Sequence, residues 1–169
     1  GMTLDEIAIA NTNASFEPKL DYIITKLPRF PFDKFTTASN VLGTQMKATG
    51  EVMGIGSTLE ESMLKGIRSL EIGINHLYHH KFDNMTDKEL LDYITEFRDD
   101  NLFAIAELLY RGVTVEKLHE VTQITSFFLE AIERIVKMEA VVKANVGDFE
   151  VLKQAKTMGF GDKFISQLW

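Results

Sequence analysis

Leu42-Gly-Thr-Gln-Met-Lys-Ala-Thr-Gly-Glu-Val-Met-Gly-Ile-Gly56 is the stretch on which the reading of this chain turns. Three glycines, Gly50, Gly54 and Gly56, fall within seven residues around a short apolar run. Hydrophobic periodicity alone does not account for them. Met46, Val52, Met53 and Ile55 mark a strand over residues 46–55, in which Gly50 signals a bulge or a close backbone approach. The run passes directly into Ser57-Thr-Leu-Glu60 and the overlapping Thr58-Leu-Glu-Glu61, both capping-box patterns. Leu59, Met63, Ile67 and Leu70 then recur at helical spacing, predicting an amphipathic helix that stops near Gly73. A phosphate-loop reading fails, because no Lys precedes Ser57 and the glycine spacing is not Gly-x-Gly-x-x-Gly. The glycines are read as a structural strand-to-helix turn.

Upstream, Thr3-Leu-Asp-Glu6 is another capping box and predicts a short helix over 4–10, followed by a loop at Asn11–Ser15. Leu20–Lys26, with Tyr22, Ile23, Ile24 and Thr25, predicts a strand that ends before Pro28. Pro28 and Pro31 would block ladder bonds, so Pro28–Phe32 reads as an irregular exit. The prolines, Pro18, Pro28 and Pro31, all lie in the first third, and helix signals dominate from Thr58 onward. This shift places a boundary at residues 57–72.

Beyond it the pattern is helical throughout. Thr86 caps a helix over 87–97 with Leu90, Leu91, Ile94 and Phe97 on its apolar face. Leu102, Ile105, Leu108 and Leu109 make another, closed by Gly112. Thr114 starts a short helix through Leu118 and Val121, and Thr125 a longer one with Phe128, Ile132, Ile135, Val136, Met138 and Val142. Phe149, Leu152 and Ala155 mark one more, ended by Gly159, and Phe164, Ile165 and Leu168 finish the chain. The fold class is therefore mainly α: a multi-helix unit preceded by a small α+β segment of helix, two strands and helix.

A formal net charge of -7 leaves no basic face of the kind a nucleic-acid binder needs. No run approaches the roughly 20 apolar residues of a membrane helix, and no signal pattern opens the chain, so no membrane partner is expected. The absence of Cys removes disulfides and thiolate metal sites, which suits a reducing cytoplasm. Twelve Phe supply large side chains for a core.

Few residues invite chemistry. His76, His79 and His80, with Asp83 nearby, are the one candidate metal cluster; on a helix His76 and His80 would share a face. The zinc-protease pattern needs a Glu where Leu77 stands, and the segment reads as a solvated connector. Thr114–Ile135 has a helix-turn-helix outline, but its second helix opens Ser126-Phe-Phe-Leu-Glu130, apolar and acidic, so packing explains it better. The adjacent carboxylates Glu60-Glu61 and Asp99-Asp100 fit capping and dipole roles. Met158-Gly-Phe160 resembles the turn of ubiquitin-associated domains; the plainer reading is a Gly-terminated helix with Phe160 packed back on it.

Asp21–Phe30, Gln45–Gly56, Phe16-Glu-Pro18 and Glu61–Glu71 together resemble the end of the first ATP-grasp half of the carbamoyl-phosphate synthetase large chain. Leu102-Phe-Ala-Ile-Ala-Glu107, Arg111-Gly-Val-Thr114, Phe128-Leu129 and Ala155–Asp162 resemble, in order, that chain's oligomerisation domain. The resemblance implies two parts, 1–71 from the carboxyphosphate half and 72–169 from the oligomerisation domain. It implies a parent ligase that makes carbamoyl phosphate from bicarbonate and glutamine-derived ammonia, for arginine or pyrimidine synthesis, with ATP and Mg or Mn as cofactors. The partners implied are the rest of the large chain, a glutaminase small subunit and other large chains. The family's nucleotide and metal residues match nothing here, so no cofactor, catalytic or metal site is expected and the chain alone is expected to be inactive. By the same resemblance Met46 and Glu51 occupy positions associated with the internal carbamate tunnel. The rivals are a free-standing helical interaction module, which would not need residues 20–56, and a small metal-dependent enzyme using the histidines.

Overall fold

Thr58 starts the first helix, α1 (Leu59–Ser69): its side chain accepts from the Glu61 amide at 3.2 Å, so Thr58 is the cap, while the Glu61 carboxylate reaches back one residue further to the Ser57 amide and neither overlapping box closes on itself. The computed structural model describes residues 1–17 and 19–169. Pro18, and with it the end of Phe16-Glu-Pro18, lies outside them. Ahead of α1 stand β3 (Ile23–Arg29) and β4 (Gly50–Gly56), antiparallel from Ile23 opposite Gly56 to Arg29 opposite Gly50. A two-residue pair, β1 (Ala8–Ile9) with β2 (Thr12–Asn13), precedes them.

Behind α1 come a 3-10 turn at His80–Phe82, α2 (Asp87–Tyr93), α3 (Asn101–Tyr110), α4 (Val115–Thr122), α5 (Ser126–Ala144), α6 (Phe149–Thr157) and α7 (Asp162–Leu168). The described residues are thus mainly α, as expected. Helix α5 spans about 28 Å at 1.5 Å per residue and is the axle of the helical part, packing against α1, α3, α4, α6 and α7. Leu129, Ile132, Ile135, Met138 and Val142 face inward along it and meet Leu64 and Ile67 of α1, Leu108 of α3 and Leu118 of α4 in one core. Each such side chain contributes about 1.5–3 kcal/mol by leaving water.

Close backbone approach decides how α1 sits on the strands. A Cβ at Gly54 would overlap the Ser62 carbonyl oxygen and lie 2.6 Å from the Gly66 amide nitrogen. Gly54 and Gly66 therefore let helix and strand touch backbone to backbone, with Leu27 of β3 lying over Gly66. The other end of the chain reaches the same helix. Gly159 (φ +95) ends α6 with the paired bonds Phe160 N to Ala155 O and Gly159 N to Lys156 O, both 3.0 Å. A Cβ there would lie 2.8 Å from the Glu61 Cα, and Arg68 donates to the Gly159 carbonyl at 2.7 Å.

Several expectations are corrected. No helix forms over 4–10. Thr3 and Glu6 make the capping bond (2.8 Å), but residues 3–10 are exposed and lack the tertiary burial that a short helix needs, and the chain turns into β1 and β2 instead. The first long strand does not stop before Pro28; it runs to Arg29, because β3 pairs on one side only and an edge strand tolerates proline. The second begins at Gly50, not 46, and its register is continuous, so Gly50 makes no bulge; the close approach belongs to Gly54. Helix α2 ends at Tyr93 instead of 97. The Leu42 amide bonds to the Phe97 carbonyl at 2.7 Å and Val41 bridges Arg98, drawing that backbone away, so Phe97 is exposed. Phe128 lies on the inward stripe of α5 but in its first turn, ahead of the core, and Phe149 opens α6; both are exposed.

Candidate functional site at the strand exit

A cavity of about 580 Å³ opens where β3 leaves the sheet. Pro28–Phe30, Phe32 and Asp33 form one wall; Leu70–Ile72, His79, Lys81, Asp99, Asp100 and Phe103 form the other. The Phe30 and Phe32 rings stack at 5.4 Å. Arg29 is engaged locally, donating to the Phe30 carbonyl at 2.5 Å and pairing with Asp33 at 3.2 Å. Lys81 pairs with Asp100 and donates to the Tyr93 hydroxyl at 2.8 Å, while Tyr93 donates to the same carboxylate at 2.8 Å. Burial works against the Lys81 ammonium, but these hydrogen bonds and the Asp100 charge outweigh it and hold its pKa up. Asp99 is half-buried and has no side-chain hydrogen bond or ion pair among the described residues; burial raises its pKa and the neighbouring Asp100 adds to the effect, outweighing its own backbone amide and the charges of Lys81 and Arg29.

A second polar cluster lies inside the helical core. Tyr110 of α3 donates to Glu139 of α5 at 2.5 Å, and Lys143 pairs with the other oxygen at 2.5 Å. The His76 Nε2 stands 3.7 Å from that carboxylate, too far for a hydrogen bond, and neither ring nitrogen has a partner. The imidazole stacks on Phe164 (3.8 Å) and tilts against Phe160 (4.6 Å). Burial, helped by the charges of Arg68 and Lys143, pushes the His76 pKa down to about 3, so it is neutral at pH 7. Burial pushes the Tyr110 phenol far up, keeping it a donor to Glu139. Sequence reasoning missed this cluster; the Glu139–Lys143 spacing was the one visible sign of it.

The structure separates the histidines. Residues 74–79 are not helical, so His76 and His80 share no helix face. His76 is buried, whereas His79 caps the 3-10 turn by accepting from the Lys81 amide at 3.1 Å. Among the described residues, no three His, Asp or Glu side chains are grouped as metal ligands would be. At the glycine run, the groups at the helix start are already occupied: the Glu61 carboxylate accepts from the Ser57 amide (2.7 Å) and hydroxyl (2.9 Å). The Lys65 hydrogen bond, with those from Ser57, draws the Glu61 pKa down to about 2. Glu60 turns the other way and pairs with Arg134 of α5 at 2.5 Å. In Met158-Gly-Phe160 the phenylalanine is buried in the core. Met46 stands fully in solvent, and Glu51 lies on the outer side of β4, paired with Lys26 at 2.7 Å.

Helices gathered on one long axle, with buried polar groups answering one another across the core and a glycine-mediated seat for a β-hairpin, define a helical packing module. The family model for the carbamoyl-phosphate synthetase large chain, oligomerisation domain, matches residues 51–169. That span takes in β4 and every helix, and the chain belongs to this family, part of the large chain of a ligase. No helix among the described residues is long and apolar enough to cross a membrane.

Proposed function

We propose that this chain joins the end of the carboxyphosphate ATP-grasp half, residues 1–71, to the oligomerisation domain, 72–169, and works structurally, linking catalytic halves and pairing large chains. The match over residues 51–169 supports the oligomerisation part of this reading. The outer side of the β3–β4 hairpin also supports it: Ile24, Met53 and Ile55 are all exposed there, a face that a neighbouring domain would cover. In the parent, glutamine-derived ammonia, from a glutaminase subunit, and bicarbonate become carbamoyl phosphate with ATP and Mg or Mn, in the cytoplasm. Met46 and Glu51, both on the hairpin side of the chain, would face the carbamate path there. One assay of ATP hydrolysis and carbamoyl-phosphate yield tests both halves of this. The chain alone should show no ATP turnover, and Glu51→Ala in the parent should lower yield per ATP. Turnover by the chain, or an unchanged yield, would remove the corresponding claim.

Self-association is carried by the start of α5. Phe127 and Phe128 meet edge-to-face at 5.3 Å and are both about half exposed, an apolar pair without cover in the single chain. Light scattering on a sizing column over a concentration series should show a dimer or larger species. Phe127→Ser with Phe128→Ser should weaken association about tenfold or more, as loss of an aromatic anchor does. Association equal to that of the unaltered chain would discard this surface. A strict monomer at high concentration would confine the chain to bracing the two halves.

A further inference from the structure

The cavity at the strand exit has a charge imbalance that its own residues do not resolve. Two cations, Arg29 and Lys81, line it against four carboxylates, Asp33, Glu71, Asp99 and Asp100. Arg29 is committed to Asp33 and Lys81 to Asp100. His79 carries no compensating charge at neutral pH, since burial, aided by His80, lowers its pKa. Glu71 and Asp99 are left over, with no side-chain hydrogen-bond or ion-pair partner among the described residues. Asp99 is half-buried, where an uncompensated carboxylate is costly.

We propose that this cavity binds a small organic cation, an alkylammonium or alkylguanidinium, with Asp99 as its counter-ion and the stacked Phe30 and Phe32 rings as its apolar wall. The volume of about 580 Å³ lies within the range of small-molecule sites. The Phe30 ring supplies a negative π face of the kind that attracts cations, and the Lys47 ammonium, 5.5 Å from the stacked Phe32 ring, shows such a contact forming on this pair. An anion is disfavoured by the same count, since it would add a charge beside two unpaired carboxylates. Burial and Asp100 disfavour the Asp99 charge, and a bound cation would favour it. The cavity joins the strand exit to the start of α3, so occupancy would tie the β-segment to the helical unit.

The test is an NMR titration of the whole 169-residue chain with n-butylammonium, methylguanidinium and butyrate. Either cation should shift the amides of residues 29–33, 71–72 and 99–103 saturably, with butyrate leaving them unmoved. Asp99→Asn should weaken the cation about tenfold or more, the usual effect of losing a charged hydrogen-bond partner. Because Asp99 has no side-chain partner in the fold, that variant should melt no lower than the unaltered chain. Glu71→Gln, on an exposed turn, gives an independent reduction. Absence of saturable shifts with both cations, equal shifts with butyrate, or unchanged binding in both variants would overturn the proposal. So would shifts produced only by a lysine-rich peptide, which would place a protein segment in the cavity instead.

Discussion

Gly54→Ala is expected to destabilise the chain by about 3 kcal/mol or more, at the upper end of what overpacking costs. The added methyl would overlap the Ser62 carbonyl oxygen and stand 2.6 Å from the Gly66 nitrogen. Both obstacles are backbone of α1, so no side-chain rotation relieves the clash. The hairpin must lift from the helix, or the helix must shift against α5. The damage should be local, with faster amide hydrogen exchange in residues 23–29 and 50–56 and protection retained along α5. Gly50→Ala is the control from the same glycine run. Its methyl would meet nothing nearer than Arg29 at 3.9 Å, so stability should change by less than about 0.5 kcal/mol. If the two variants melted together, the backbone-to-backbone seat would be wrong.

The second large effect is on acid stability. His76 has an ordinary pKa of 6.5 and is held at about 3 in the folded protein. Below pH 6.5 the unfolded chain takes up a proton that the folded chain refuses. Its contribution is therefore complete above that pH and is lost progressively as pH falls towards 3. The limiting slope is about 1.4 kcal/mol per pH unit. Between pH 6.5 and 4.5 this slope is separable from that of Glu61, whose lowered pKa acts between 4.5 and about 2. His79, also lowered, adds in the same direction. His76→Phe removes two unpartnered nitrogens while keeping a ring on Phe164. Urea unfolding of that variant should be at least as strong at pH 7 and clearly flatter between pH 6.5 and 4.5. A variant as acid-sensitive as the unaltered chain would move the cause elsewhere, with the Glu139 network the next place to look.

Helix starts were the most legible part of the sequence. Thr58, Thr86 and Thr114 each accept from the backbone amide three residues on, and the helices begin where those residues stand. A cap is made within one turn, so the local sequence contains both partners. At Thr3 only the reverse half of the box forms, the Thr3 amide donating to the Glu6 carboxylate, and no helix follows it, because residues 4–10 are exposed. The end of α2 was illegible for the converse reason: its terminator is the pairing of residues 41–42 with 97–98, more than fifty positions apart in the chain. The glycine run is legible as structural from sequence alone, since it fits no phosphate loop. Which glycine mattered depended on where α1 came to rest.

The candidate site follows the same division. Asp99-Asp100 is a plain dipeptide in sequence, and the fold splits the pair: Lys81 neutralises Asp100 and Tyr93 donates to it, whereas no side chain pairs directly with Asp99. His76, His79 and His80 looked like one group, and the fold sends one into the core and leaves the others beside the 3-10 turn. The sequence by itself determined the mainly helical class, the caps and the family resemblance, because each rests on residues close together or on their order. Tertiary structure alone decided which glycine holds strand to helix, which histidine is buried and which carboxylate stands unpaired. Burial and electrostatic environment are set by atoms that arrive from distant parts of the chain, and no local pattern encodes their distance.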